Sequence, residues 1–491
     1  MRPTSSPADS GSFHVPRSSE PSPAPYCAEV VNDVHARLNA TRVRGVVDVR
    51  SVAEARAVIC SARPNDAICI AGGRHAMGGQ QFAEDGLLLD TRRFGRVIAL
   101  DMEQGLVEVE SGIQWPALVR RLHELQPGSS APWTIRQKQT GADRLSIGGA
   151  LSANVHGRGL TMCPFISDVD SFTLVDANGV LRRCSRTENR ELFRLTIGGY
   201  GLFGFIATVT LRLVRRRRLR REVELITTER LTEAFEHRVR AGHLYGDFQF
   251  AIDPASPDFL RRGILATYAP AADRRVAPDA GLTLTAAQWR QLLLLAHVDK
   301  TRAFELYAAQ YVASSGQEYW SDEHQLSVYL DDYHADVDPR LTGHGYDAPG
   351  TEMITELYVP LDRLESFLGA ARDHFRQHDV DVIYGTIRLI ERDDESFLPW
   401  ARQRSACVIF NVHTPHTPEG LARSTAAFQR LIDHAIAVGG SYYLTYHRHA
   451  RRDQLLTCYP ELPEMLRLKR AYDPDERFQS EWYRAISAIA A

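Results

Sequence analysis

Residues 71–82 read AGGRHAMGGQQF, with four glycines, an arginine and a histidine in twelve positions. The stretch leaves DAICIAGG (66–73), an apolar run of strand type, so a strand hands the chain to a glycine-rich loop. Glycine tolerates positive φ and close backbone approach, and successive N–H groups in such a loop form a nest for anions. The composition is that of a phosphate cradle. The histidine inside it leaves three roles open: structural residue, metal ligand, or a group touching a cofactor.

A second loop of the same kind follows at SIGGALSANVHGRG (146–159), where small residues at 146, 148, 149, 150, 152 and 153 leave room for something flat and large. A third glycine turn lies at 198–204. Three such turns in one β-rich region suit an extended dinucleotide better than a single phosphate. Within the third, GYGLFG (199–204) fits GxGxxG letter for letter. That fingerprint must follow a strand and open a helix, whose N-terminus holds the pyrophosphate. Here a helical segment precedes it and the strand-like FIATVTLRL follows, so the context is reversed and a Rossmann site is rejected.

Working outward, VRGVVDVRS, VAEARAVICSARP and DAICIAGG predict strand, helix and strand, and residues 86–126 predict three short strands and an amphipathic helix. Residues 140–164 read as a long irregular loop, DANGVL marks a hairpin, and 189–213 predict a helix, a glycine turn and a strand. The basic run RLVRRRRLRR (212–221) reads as solvated arginines at a strand end or domain junction. Beyond it, strand-like DFQFAID, MITELYVP, VIYGTIRLIE and ACVIFNVH alternate with two amphipathic helices, an α+β pattern. The expected division is a disordered tail at 1–25, a first domain at 26–221, a second at 222–440 and a helical C-terminal segment at 441–491.

The chain has 491 residues, 44% apolar and 24% charged, with a formal net charge of −3. Those values describe a soluble globular protein and give no electrostatic pointer to nucleic acid. Seven scattered cysteines without a CxxC pair exclude a zinc-finger spacing and a disulfide framework. The Ser/Pro-rich N-terminus lacks an apolar signal region, and no stretch reaches the ~20 apolar residues of a membrane span. A cytoplasmic monomer or homodimer, with no membrane or nucleic-acid partner, is expected.

AGGRHAMGGQ, GLVEVESGIQWPALVRRL, LSIGGALSANVHGRG, ELFRLTIGGYGLFGFIATVTLRL and YDPDERFQS, in this order, resemble the vanillyl-alcohol oxidase / p-cresol methylhydroxylase (PCMH)-type FAD flavoproteins. The resemblance covers most of 36–220 and the C-terminal segment. It implies an α+β protein: a PCMH-type FAD-binding domain of two α/β subdomains, an α+β substrate domain with an antiparallel sheet, and a C-terminal segment returning to the FAD domain. The first loop is similar to the GxGHSxxGQ loop of cytokinin dehydrogenases and alditol oxidases, whose histidine is bonded to the flavin 8α-methyl. This implies a covalent link at His75. It implies further FAD contacts from Ala71, Gly72, Gly73, Arg74, Ala76, Gly78, Gln80, Ser146, Gly148, Gly149, Ser152, His156, Gly157, Gly204 and Ile206. Ala76 departs from the family's serine, and no cysteine in TGADRLSIGG offers a second link. A neutral imidazole is a good nucleophile towards an electrophilic methyl.

In the second half, TIRLIERDDESFLPW (386–400) resembles the EIRxI strand of alditol and lactone oxidases, which implies Arg388 beside the flavin; the family's glutamate is Thr386 here. Residues 442–460 and 473–484 resemble the C-terminus of decaprenyl-phosphoryl-ribose 2-oxidase, with Tyr446 in place of a lysine and His447 following. The expected catalytic set is His156 as base with Arg388, Tyr446 and His447; His449 is a further candidate. Glu391 is a carboxylate of interest, Asp393, Asp394 and Glu395 read as a solvated turn, and Trp400 as core. HRHA (447–450) and HTPH (413–416) have no carboxylate or cysteine at a usable spacing, so no metal is expected. The function expected is FAD-dependent oxidation of a CH–OH group in a sugar, polyol or related metabolite, with O2 or another acceptor. The alternatives are a CH–NH or lactone substrate and a non-catalytic flavin-binding partner.

Overall fold

A computed structural model describes residues 27–490 except 64–65, 272–281, 327–329 and 331–332. The tail expected at 1–25 lies outside the described residues. After a short antiparallel pair, Glu29–Val31 with Thr41–Val43, the first half forms a parallel sheet in the order Gly45–Asp48, Leu87–Asp90, Ile68–Ala71. Parallel strands need crossover connections; the helix Val52–Ser61, capped where the Ser51 side chain accepts from Glu54 N–H, joins the two outer strands, Gly45–Asp48 and Ile68–Ala71, which flank Leu87–Asp90. The central strand is buried along its length, as a strand covered on both faces should be.

An antiparallel sheet follows in the order Leu181–Ser185, Val169–Val175, Phe205–Arg212, Leu106–Glu110, Val97–Asp101. Its first pair is the hairpin read from DANGVL, with Gly179 at φ 73 in the turn. The glycine turn at 198–204 joins the helix Arg190–Thr196 to the strand Phe205–Arg212, the flanks that excluded a Rossmann site.

The second half is an eight-stranded antiparallel sheet, ordered Glu318–Trp320, Arg218–Thr227, Arg262–Pro270, Tyr245–Phe250, Val382–Ile390, Ser405–Pro415, Gly350–Pro360, Ser441–Tyr442. Helices Leu364–Gln377 and Pro418–Ala437 bury Phe367, Leu368, Phe375, Phe428 and Leu431 with this sheet in the main core. The C-terminal chain returns to the first half. Ile68 N–H donates to Arg477 O at 2.6 Å, Gln479 N–H to Ile68 O at 2.9 Å, and Trp482 N–H to Gly79 O at 3.1 Å. Among the described residues no helix is long and apolar enough to cross a membrane.

Three local expectations need correction. Residues 147–153 are not irregular but a short helix, capped by Ser146 Oγ accepting from Gly149 N–H at 3.2 Å and ended by Asn154 at φ 47. Glycine weakens helices in general; here Gly148 packs so tightly that a Cβ would lie 2.8 Å from Ser111 Cβ. The arginine run is solvated at Arg215, Arg217 and Arg220 only. Arg216 pairs with the buried Asp322 at 2.9 Å, Arg218 pairs with Glu318, and Arg221 donates to Tyr268 Oη at 2.9 Å and Ser314 Oγ at 2.8 Å. On the strand Arg218–Thr227 alternation sends Arg218 and Arg221 to opposite faces, and each finds partners there. Asp393 is buried, accepting from Asn154 Nδ2 at 2.9 Å, Glu395 N–H at 2.9 Å and Ser396 N–H at 3.0 Å, and Glu395 pairs with Arg186 at 2.6 Å. Asp394 is exposed, and Trp400 is buried and stacked on Tyr358.

Candidate active site

A cavity of about 1100 Å³ lies between the glycine loops and one face of the eight-stranded sheet. That is just above the ~300–1,000 Å³ usual for ligand sites, and gives room for a cofactor and a substrate together. The two loops meet there. A Cβ on Gly72 would lie 2.0 Å from Ser146 Oγ, and one on Gly73 would lie 2.2 Å from the Arg144 carbonyl oxygen. Only glycine permits this approach, so the cradle is built by excluding side chains.

Of the residues implied as cofactor contacts, Ala71 through Ala76, Gln80, Ser146, Gly148, Gly149, Ser152, His156, Gly204 and Ile206 line the cavity. Gly78 and Gly157 do not. Gly78 N–H donates to Gln80 Oε1 at 3.0 Å, and a Cβ on Gly157 would lie 2.8 Å from the Lys138 carbonyl oxygen, so both glycines serve neighbouring chain. Arg74, at φ 59, turns out of the loop to pair with Asp90 at 3.0 Å.

His75 is buried, and its Nδ1 lies 2.7 Å from His35 Nε2, a partner that no sequence signal marks. Burial first, and then the neighbouring His35, pull the His75 pKa down to about 3. The imidazole is therefore neutral across the physiological range.

The sheet face opposite carries the acid–base groups. Glu356 Oε1 is 2.6 Å from His156 Nε2 and accepts from the Tyr358 hydroxyl. His156 Nδ1 sits 2.9 Å from the Gly157 carbonyl, which can only accept, so Nδ1 carries a proton and Nε2 shares another with the carboxylate. Burial raises the Glu356 pKa, but the His156 ring, the Tyr358 hydroxyl and Arg388 outweigh it and hold the group below its ordinary value. Glu356 Oε2 is buried and makes no hydrogen bond. Cys407 Sγ is 3.7 Å from His156 Nε2, and burial keeps this thiol protonated. Burial, then the Glu356 charge, pushes the cavity-lining Tyr446 hydroxyl well up, so it too keeps its proton.

Sheet register explains the grouping. Glu356 pairs with Ile409 and Ile409 with Thr386, so Glu356 and Thr386 occupy one row across three strands; Tyr358, Cys407 and Arg388 form the next. The carboxylate missing at position 386 thus enters two strands away, from Glu356. Arg388 donates to Thr140 Oγ1, while its Nε, the Thr386 hydroxyl and Gln249 Oε1 are buried without hydrogen bonds, and Asp247 Oδ1 makes no hydrogen bond but faces Arg158 Nη1 at 3.8 Å. All four residues line the cavity. Unpaired polar groups in a buried wall are costly, and a polar ligand would satisfy them.

His447 does not join this site. Its Nε2 is 3.1 Å from Thr355 Oγ1 and its ring stacks on Phe428 at 4.7 Å. Thr355 precedes Glu356 on the strand and so faces the other side of the sheet. His449 is on that side too, 3.1 Å from Thr425 Oγ1. Glu391 pairs with Arg404 at 2.9 Å and does not line the cavity.

A profile of the family described as FAD binding domain matches residues 43–185. The chain is 32% identical over 187 residues to an uncharacterized oxidoreductase of the fasciation locus of Rhodococcoides fascians, covering 38% of this chain and 40% of the relative. It is 29% identical over 165 residues to L-gulonolactone oxidase of Bos taurus, 33% and 36% of the two chains. A weaker likeness, 22% over 409 residues, runs through 82% of this chain and 86% of L-gulono-1,4-lactone dehydrogenase of Mycobacterium tuberculosis. The chain thus spans under half the length of the first two relatives.

Proposed function

We propose that the chain, whose residues 43–185 match the FAD binding domain family and whose relatives include FAD-linked oxidoreductases, oxidises a CH–OH group of a polyhydroxylated small molecule. FAD, when bound, supplies the hydride acceptor. The single observation that carries the reading is Glu356 Oε2, a buried carboxylate oxygen with no partner in the wall of the cavity that the flavin loops share. A substrate hydroxyl can donate to it, and as negative charge grows on that oxygen the proton moves to the Glu356–His156 pair. The Gly157 carbonyl and the Tyr358 hydroxyl hold this pair in place. Arg388 presents its unpaired Nε as a donor, and Asp247, Gln249 and Thr386 offer the further partners that a polyol can satisfy and a hydrocarbon cannot.

Two relatives bear names that specify gulonolactones, which supports a sugar lactone or lactol as the CH–OH donor. The flavin link is assigned to His75, whose neutral ring keeps a lone pair for the bond. The test is anaerobic mixing of the yellow protein with sugars, polyols, lactones and amines. Bleaching by a hydroxylated donor is expected; bleaching by amines alone would replace the reading with CH–NH oxidation. No bleaching by any of the panel would favour a flavin-binding partner without turnover.

A further inference from the structure

HTPH at 413–416 carries no carboxylate at a useful spacing, yet the fold supplies one from the neighbouring strand. Glu352 on Gly350–Pro360 is in register with His413 on Ser405–Pro415, and Glu352 Oε1 lies 3.5 Å from His413 Nδ1. His297, from the helix Ala286–Val298, brings Nε2 to 3.1 Å of the same oxygen. The donor atoms of the three residues all fall within 4.8 Å of one another. We propose that His297, Glu352 and His413 bind a divalent transition ion of the zinc class, with His334 as fourth ligand.

The groups behind the ligands argue for a metal rather than a plain ion pair. A metal-bound histidine ordinarily donates its other ring N–H to a carbonyl or carboxylate, which fixes the tautomer and the ring plane. His297 Nδ1 is 2.8 Å from the Leu293 carbonyl, so its Nε2 is the coordinating nitrogen. His334 Nδ1 is 3.0 Å from Asp338 Oδ1, one turn along the helix Tyr333–Leu341, and its Nε2 comes to 3.7 Å from Glu352 Oε2. An ion pair needs one imidazole; here three converge on one carboxylate, with the Tyr333 hydroxyl beside it. The imidazole and carboxylate set suits zinc or a related ion and not calcium or magnesium, which take oxygen ligands. Four protein donors make a closed, structural site. It pins two helices to two strands and fixes the part of the cavity wall to which Glu352 and His334 belong. His416 stays outside it, 2.9 Å from Thr351 Oγ1.

The test uses the flavin-loaded protein, stripped with a chelator and titrated with zinc chloride by calorimetry. One equivalent should bind and raise the melting temperature, and X-ray absorption at the zinc edge should show nitrogen and oxygen ligands at about 2.0 Å without sulfur. Glu352→Gln and His413→Phe should abolish that equivalent, and Asp338→Asn should weaken it by about 10- to 100-fold. Three results overturn the proposal: no saturable equivalent in the wild type, sulfur in the coordination shell, or undiminished binding in both ligand variants. Should the ligand variants fold poorly, the wild-type stoichiometry and absorption spectrum decide alone.

Discussion

Glu356→Gln isolates the proposed chemistry from the fold. Glutamine keeps the shape of glutamate. Both contacts fall on Oε1, so with the NH2 in that position glutamine can donate to His156 Nε2, once that nitrogen sheds its shared proton, and to the Tyr358 oxygen, whose hydroxyl hydrogen turns away. Nδ1 remains bonded to the Gly157 carbonyl. The pair therefore disappears as a neutral unit, without stranding a charge, and the cost in stability should stay near the ~1 kcal/mol of one altered hydrogen bond. The cost in rate should be far larger. A positioned acid–base group contributes roughly 10²–10⁴-fold, so the barrier should rise by about 3–5 kcal/mol. Anaerobic stopped-flow reduction of the flavin by the best donor from the panel measures this directly. The melting temperature and flavin content serve as controls. A variant with normal flavin and near wild-type reduction would refute Glu356 as the proton acceptor. Loss of reduction together with loss of flavin would show instead that the residue only maintains the cavity.

Acid precipitation of the wild type should give a yellow pellet and His75→Ala a yellow supernatant; a colourless wild-type pellet would refute the covalent link and leave FAD binding intact. Gly72→Ala places a methyl 2.0 Å from Ser146 Oγ, and forcing the loops apart should cost about 1–3 kcal/mol and lower the flavin-to-protein ratio, which an unchanged absorbance ratio would contradict. His447→Phe should leave flavin reduction untouched, because the ring stacks on Phe428 on the far side of the sheet; a fall to the level of Glu356→Gln would place it at the chemistry after all. For pH, burial first, and then the charges of His378 and His434, lower the buried His374 to about 4. The unfolded chain takes up that proton below about 6.5 and the folded chain only near 4, so this contribution is complete above about 6.5 and is lost as the pH falls, by up to ~1.4 kcal/mol per pH unit. Urea midpoints that stay flat across that window would contradict the burial.

The parts of this protein that were readable in advance are those fixed by short-range rules. Alternation gave the strand, helix and strand at the start and the hairpin at DANGVL, and turn residues located the glycine loops, because each depends on a few adjacent residues. The helix at 147–153 escaped because its two glycines argue against a helix, and the contact with Ser111 that requires one of them lies some forty residues earlier in the chain. The inward arginines escaped because a run of like charge reads as solvated until a strand is known to pass through it. The chemistry was harder still. His156 and Glu356 are separated by 200 positions and meet only after the sheet has docked on the glycine loops. One hint was present. In TEMITELYVP, glutamates at 352 and 356 interrupt an apolar strand at even spacing, so both must fall on one face. A buried strand tolerates a carboxylate only where a partner waits. The same parity argument assigns Thr355, and with it His447, to the other face. Period two along one strand thus separates the residues that can reach a ligand from those that cannot, and it needed only the knowledge that this strand is buried on both sides.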